Sequence, residues 1–155
     1  MEIKHFCARR FNNLKLCSDN LLVINFSKET ILQNNVESID FTNIIEGNPK
    51  KNIKLPYPYH FFDINCKNLI MNKLKNNNYS KIYCICDAGL CRSFSVAICI
   101  LNIYSGDITK YIFENNCLPD QNIITILQNN EFYEKVLNIF NTKKDTYDDL
   151  FDNLF

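Results

Sequence analysis

Two short runs, Leu21 to Phe26 (LLVINF) and Lys81 to Ile85 (KIYCI), are apolar at nearly every position instead of alternating. A strand with that pattern has both faces covered, as in parallel sheets packed between helices. Ile3 to Ala8 and Val36 to Phe41 read as two further strands. Leu69, Ile70 and Leu74 share one face of a helix that Asp63 caps and the run Asn76 to Asn78 stops. Ser93 to Tyr104 (SFSVAICILNIY) is long and apolar enough for a central buried helix ending near Gly106. Asp107 caps a helix from Ile108 to about Asn115, and Pro119 interrupts the chain. Ile123, Ile124 and Leu127 mark another helix, and one more runs from Glu131 to about Phe140. This order predicts an α/β fold: a mainly parallel central sheet flanked by helices, with a helical C-terminal half.

A chain of 155 residues has room for one domain. We expect it over 1–143. The acidic and aromatic tail 144–155, with Tyr147, Leu150, Phe151, Leu154 and Phe155, is expected to dock on that domain as an amphipathic helix. Lys+Arg and Asp+Glu are equal at 17 each, so no general nucleic-acid or membrane-surface binding is expected. No stretch reaches the roughly 18 apolar residues of a membrane span, and MEIKHFCARRFNN does not read as a signal peptide. The 8 cysteines then read as mostly buried free thiols in a reducing, cytoplasmic compartment.

Chemistry is concentrated in Cys86-Asp87-Ala88-Gly89-Leu90-Cys91-Arg92-Ser93, between an expected buried strand and an expected buried helix. A loop entering a helix presents unpaired backbone N–H groups and the positive end of the helix dipole, a natural phosphate site. Gly89 lets the backbone curl, and Arg92 can grip two phosphate oxygens with its planar fork. Cys86, at the base, gains nucleophilic character from the helix N-terminus and the guanidinium. The hydroxyl of Ser93 is placed to assist departure of the sulfur. A bare Cys-x5-Arg is a weak signal, and the alternative is a structural cysteine in a buried turn. The glycine, the serine, the strand before and the helix after make the pattern specific.

This segment resembles the signature loop of the cysteine-dependent tyrosine and dual-specificity phosphatases, His-Cys-x-x-Gly-x-x-Arg-Ser/Thr, and most resembles the small single-domain members of bacteria and viruses. The resemblance implies hydrolysis of phosphomonoesters through a cysteinyl-phosphate, without metal or other cofactor. It implies Cys86 as nucleophile, Arg92 as phosphate clamp, Ser93 as leaving-group assistant, and the amides of Asp87, Ala88, Gly89, Leu90, Cys91 and Arg92 as cradle. The implied partner is a phosphorylated protein, or another phosphomonoester such as an RNA 5′ end, a nucleotide or a phosphoinositide. A phosphate-binding protein without catalysis is the alternative. Ile85 stands where the family has His, and Asn43 stands where its general acid would lie. Asp40, Glu46 and Asp63 are the candidates for that acid, Asp40 first because it is nearest in sequence. Asp87 is expected to face solvent.

Other constellations are weaker. Cys84, Cys86 and Cys91 lack zinc-site spacing, but Cys84 or Cys91 could trap an oxidised Cys86 as a disulfide. His5 and His60 are isolated and receive no role. Arg9 and Arg10 follow the first strand, where they could flank the binding crevice, but they read first as a solvated pair. Lys50, Lys51 and Lys54, with Tyr57 and Tyr59, could form a cationic rim for an anionic substrate or simply solvate their loop. Gln121 and Asn122 stand where small family members often carry a Pro-Asn pair, which suggests water positioning.

Overall fold

The computed structural model describes residues 1–16, 20–29, 31, 36–47, 49 and 54–152; for Tyr147 and residues 149–152 it describes the backbone only. Along these residues run β1 (Glu2–Cys7), α1 (Ala8–Asn12), β2 (Leu21–Asn25), β3 (Glu37–Asp40), β4 (Ile44–Ile45) and β5 (His60–Phe61). There follow α2 (Ile64–Asn76), β6 (Lys81–Cys86), α3 (Arg92–Ile103), α4 (Ile108–Glu114), α5 (Gln121–Leu127) and α6 (Asn130–Asp152). The main sheet is four-stranded, in the order β1-β6-β2-β3, and every pairing in it is parallel. The expected α/β architecture is the observed one.

The register aligns the carboxyl ends of the strands: Cys7 pairs with Cys86, Asn25 with Ile85, and Asn25 with Asp40. In an open parallel sheet that end is where ligands bind. Alternation sorts the side chains onto two faces. Ile3, Leu22, Ile24, Ile39, Ile82, Cys84 and Cys86 join the larger core, built with α3, α5 and α6. Phe6, Leu21, Val23, Tyr83 and Ile85 join a smaller core with Ala8 and Phe11 of α1. Nine successive residues of α3, Arg92 to Ile100, are buried, as an apolar helix in the middle of the fold requires. Truncating one of its large members, Ile98→Ala, costs about 2–5 kcal/mol by lost transfer energy and the cavity left behind.

Aspartates start the helices. Asp63 accepts from Cys66 N at 3.0 Å and Asp107 from Lys110 N at 3.0 Å, so both expected caps are present. Asp120 caps α5 in the same way. Two features depart from the sequence reading. The stretch 42–61 carries a two-residue parallel ladder, β4 with β5, too short to leave a periodic pattern. The final helix does not stop near Phe140: no Gly or Pro lies between 130 and 152, and α6 runs unbroken through the 143/144 boundary. Lys143 on α6 is buried, its ammonium donating to Ile112 O, Asn115 O and Asn116 Oδ1 at the end of α4. The expected docking of Tyr147, Leu150, Phe151, Leu154 and Phe155 lies outside the described side chains. Among the described residues no helix is long and apolar enough to cross a membrane.

Candidate active site

Cys86 closes β6, the strand held between β1 and β2, and Arg92 opens α3. The intervening loop is fixed by its glycine. Gly89 has φ +69°, and a Cβ there would lie 2.5 Å from Cys7 N and 2.8 Å from Phe6 C, both backbone atoms. The loop therefore presses on the end of β1, where only a residue without a side chain fits.

The N-terminus of α3 carries no side-chain cap and no acidic residue in its first turn. Its orphan N–H groups and dipole favour an anion there. The Cys86 sulfur does not end in hydrocarbon alone: it lies 3.1 Å from Ser93 Oγ, both residues being buried. The sequence expectation that these two groups meet is met in the geometry.

Arg92 is only 7% exposed, which is costly for a guanidinium unless its donors are used. Nη1 donates to Ile44 O at 2.7 Å and to Phe26 O at 3.3 Å, and Nη2 donates to Asp87 Oδ2 at 3.2 Å. The buried Nε has no hydrogen-bond partner among the described residues. Glu46 Oε1 lies 3.5 Å from it, close enough for charge attraction but without hydrogen-bond geometry. One donor of a buried cation is thus left open at the mouth of an uncapped helix.

Asp87 does more than face solvent. Its Oδ1 accepts from Ser27 Oγ at 2.8 Å and from Lys28 N at 2.9 Å, while Oδ2 takes Arg92. Burial pushes its carboxyl up, but the hydrogen bonds of Ser27, Lys28 and Arg92 outweigh this and hold it below the usual range. Asp87 ties the loop to the end of β2 and fixes the plane of the guanidinium.

A second wall comes from residues 117–120. Leu118 N donates to Leu90 O at 2.9 Å, and the Cys117 thiol donates to Gly89 O at 3.6 Å. Asp120 N donates to Ser95 Oγ, whose hydroxyl donates to Cys91 O. The buried Asp120 carboxylate accepts from Ile123 N at 3.0 Å and from Gly47 N at 3.2 Å. Burial raises its pKa, against the pull of those N–H groups and Arg92. Asp120 therefore latches the turn carrying Glu46 and Gly47 onto α5. Sequence reasoning assigned Asp120 nothing; its place between Pro119 and an apolar helix was the available signal.

The remaining candidates are scattered. Asp40 follows Ile39, which faces the core containing Cys86, so by alternation Asp40 points to the opposite face of the sheet. There it accepts from Asn25 Nδ2 at 3.4 Å and lines a cavity of about 450 Å³ with Val23, Asn25 and Ser38. The register sets it two strand spacings from Cys86, roughly 10 Å. Asp63 is occupied as the α2 cap. Asn43 lies in the turn before β4, where its carbonyl accepts from His60 N.

Cys84 and Cys91 are both held protonated. Burial raises Cys84, and burial, then Glu46, Asp120 and Cys86, push Cys91 up to about 12 against Arg92. His5 is not idle: Nδ1 meets the Tyr111 hydroxyl at 2.5 Å and Nε2 meets Cys117 Sγ at 3.3 Å. Arg9 and Arg10 are exposed, Arg10 lying 5.7 Å over the Phe6 ring. Of the rim residues, Tyr59 carries the Lys28 ammonium 4.5 Å over its ring, and Lys54 and Tyr57 are exposed. Lys50 and Lys51 lie outside the described residues. Asn122 donates to Phe62 O at 2.9 Å, which gives it a structural tie. Among the described residues no group of three or more His, Cys, Asp or Glu is arranged to hold a metal ion. The chain matches no family model, no curated protein and no solved structure in the three comparisons made.

Proposed function

We propose that the chain is a cysteine-dependent phosphatase acting on phosphomonoesters, foremost the aryl phosphate of phosphotyrosine, with phosphoserine and phosphothreonine as further substrates. The observation that carries this is the open Nε of the buried Arg92, in the loop that sets Cys86 against Ser93. A phosphoryl group in the loop would receive the α3 N–H groups and that donor. Cys86, as thiolate, attacks phosphorus while the ester oxygen leaves; water then releases phosphate, and the Ser93 hydroxyl stabilises the returning sulfur anion. A catalytic cysteine and a clamp arginine are separable from a structural pair by experiment. With chelator present, the protein should hydrolyse an aryl phosphate, Cys86→Ser should abolish turnover, and Arg92→Ala should lower it by about 10²-fold or more. Undiminished turnover in Cys86→Ser would overturn the assignment.

Ile85 before the nucleophile and Asn43 in place of an acid favour a second reading, a phosphate-binding protein without turnover. It predicts vanadate or phosphopeptide binding with no burst of product. A panel of phosphotyrosine, phosphoserine, RNA 5′-phosphate, nucleotide and phosphoinositide substrates separates the substrate classes.

A further inference from the structure

We propose that His5, acting through Cys117, is a positioning residue that strengthens the anion-binding amides of the loop. The assignment rests on the loop holding a phosphoryl group, as both readings above require. Three successive loop carbonyls are already engaged. Gly89 O accepts from the Cys117 thiol at 3.6 Å, Leu90 O from Leu118 N at 2.9 Å, and Cys91 O from Ser95 Oγ at 2.8 Å. The loop peptides are trans, so the N–H of each unit points opposite to its carbonyl. Holding the carbonyls of Gly89, Leu90 and Cys91 on those donors turns the N–H groups of Leu90, Cys91 and Arg92 the other way, toward the space an anion would fill.

The first of these contacts has a longer chain behind it. A carbonyl can only accept, so the Cys117 thiol spends its proton on Gly89 O. Its sulfur, 3.3 Å from His5 Nε2, is then the acceptor of that second contact, and His5 carries its proton on Nε2. Nδ1, 2.5 Å from the Tyr111 hydroxyl, is left to accept from it. All three protons thus point the same way: Tyr111 to His5, His5 to Cys117, Cys117 to Gly89. The arrangement needs a neutral imidazole, and burial, then Arg10, hold His5 down at about 4. Phe94 meets the ring edge-on at 5.4 Å and Tyr111 at 5.5 Å, which fixes its orientation. Hydrogen bonds in a chain polarise one another. This chain ends on the peptide unit that presents Leu90 N–H, so a better-held Gly89 carbonyl makes a stronger Leu90 donor.

Amide spectra of the 15N-labelled full chain, titrated with inorganic phosphate, read the effect without any need for turnover. Cys117→Ala should move the Leu90 amide proton upfield before phosphate is added and weaken phosphate binding about 2–10-fold. Cys117→Ser, which keeps a donor on the same carbon, should regain most of that affinity. His5→Phe keeps an aromatic ring against Phe94 and Tyr111 but has no Nε2–H. Alone it should weaken binding, and in a Cys117→Ala background it should add nothing, because it acts through the thiol. A purely structural pair would lower Tm and leave the Leu90 shift and the phosphate affinity where they were; that result overturns the proposal. So does a His5→Phe loss of equal size with and without the thiol. Should Cys117→Ala not fold, His5→Phe decides, and phosphate binding as tight as in the unaltered chain overturns the proposal again. An unaltered chain that binds no phosphate removes the anion site, and both readings above fall with it; binding that is indifferent to these substitutions removes only the role of His5.

Discussion

Gly89→Ala tests how closely the loop from Cys86 to Arg92 is fitted to the sheet. The new methyl would sit 2.5 Å from Cys7 N and 2.8 Å from Phe6 C, distances real Cβ atoms do not reach. Neither atom can turn aside as a side chain would, because β1 is held by its ladder to β6. At φ +69° an alanine also pays about 1–2 kcal/mol for the left-handed conformation. Forcing a methyl into closed packing adds about 1–3 kcal/mol. The sum is about 2–5 kcal/mol, and for a domain of this size each kcal/mol moves Tm by about 2–4 °C. Thermal unfolding followed by circular dichroism should show a fall of about 4–20 °C. A fall under about 2 °C would refute the reasoning, because the loop would then have room between itself and β1.

Three further outcomes are expected. Lys143→Met strands Ile112 O, Asn115 O and Asn116 Oδ1 without their ammonium donor and should cost about 2–4 kcal/mol in chemical denaturation; a neutral result would mean that those oxygens find other donors. Burial and then Arg10 hold His5 down at about 4, so between there and its ordinary 6.5 the unfolded chain binds a proton that the folded chain refuses. Stability should therefore decline as pH falls through that window, and Tm against pH should be flatter in His5→Gln. Mild peroxide should convert Cys86 to a sulfenic acid, which Cys7 then displaces as water to give a disulfide. The two are register partners with Cα atoms about 4.8 Å apart, inside the disulfide range. Peptide mapping that found Cys84 or Cys91 joined to Cys86 instead would refute this.

What could be read in advance was whatever has a period or a cap. The apolar runs 21–26 and 81–85 became the inner strands, and Asp63 and Asp107 stand at the helix starts expected of them. Cys86 and Ser93 could be matched because strand, loop and helix are contiguous in the chain. The carboxylates could not. Proximity in sequence put Asp40 forward, but one residue of alternation turns its side chain through the sheet, while Glu46 reaches Arg92 through a turn that Asp120 holds from 73 residues away. Local pattern also missed α1, five residues long and buried by Ala8 and Phe11, and the two-residue ladder of β4 and β5. Such pieces are stabilised by what they touch, not by their own propensity. The reading of α6 as ending near Phe140 underrated the absence of any breaker after it.

The strand order β1-β6-β2-β3 has a consequence for biosynthesis. A nascent polypeptide that has emerged only as far as α2 holds β1 and β2 with a slot one strand wide between them. That slot stays vacant until Lys81–Cys86 leaves the ribosome, and both of its sides expose unpaired amide edges in the meantime. The strand that inserts is the one ending in Cys86, so zipping up the sheet and forming the loop from Cys86 to Arg92 are one event. A truncated message ending before residue 81 would yield a sticky half-sheet, and supplying the remaining segment in trans would fill the vacancy and complete the Cys86–Arg92 loop together.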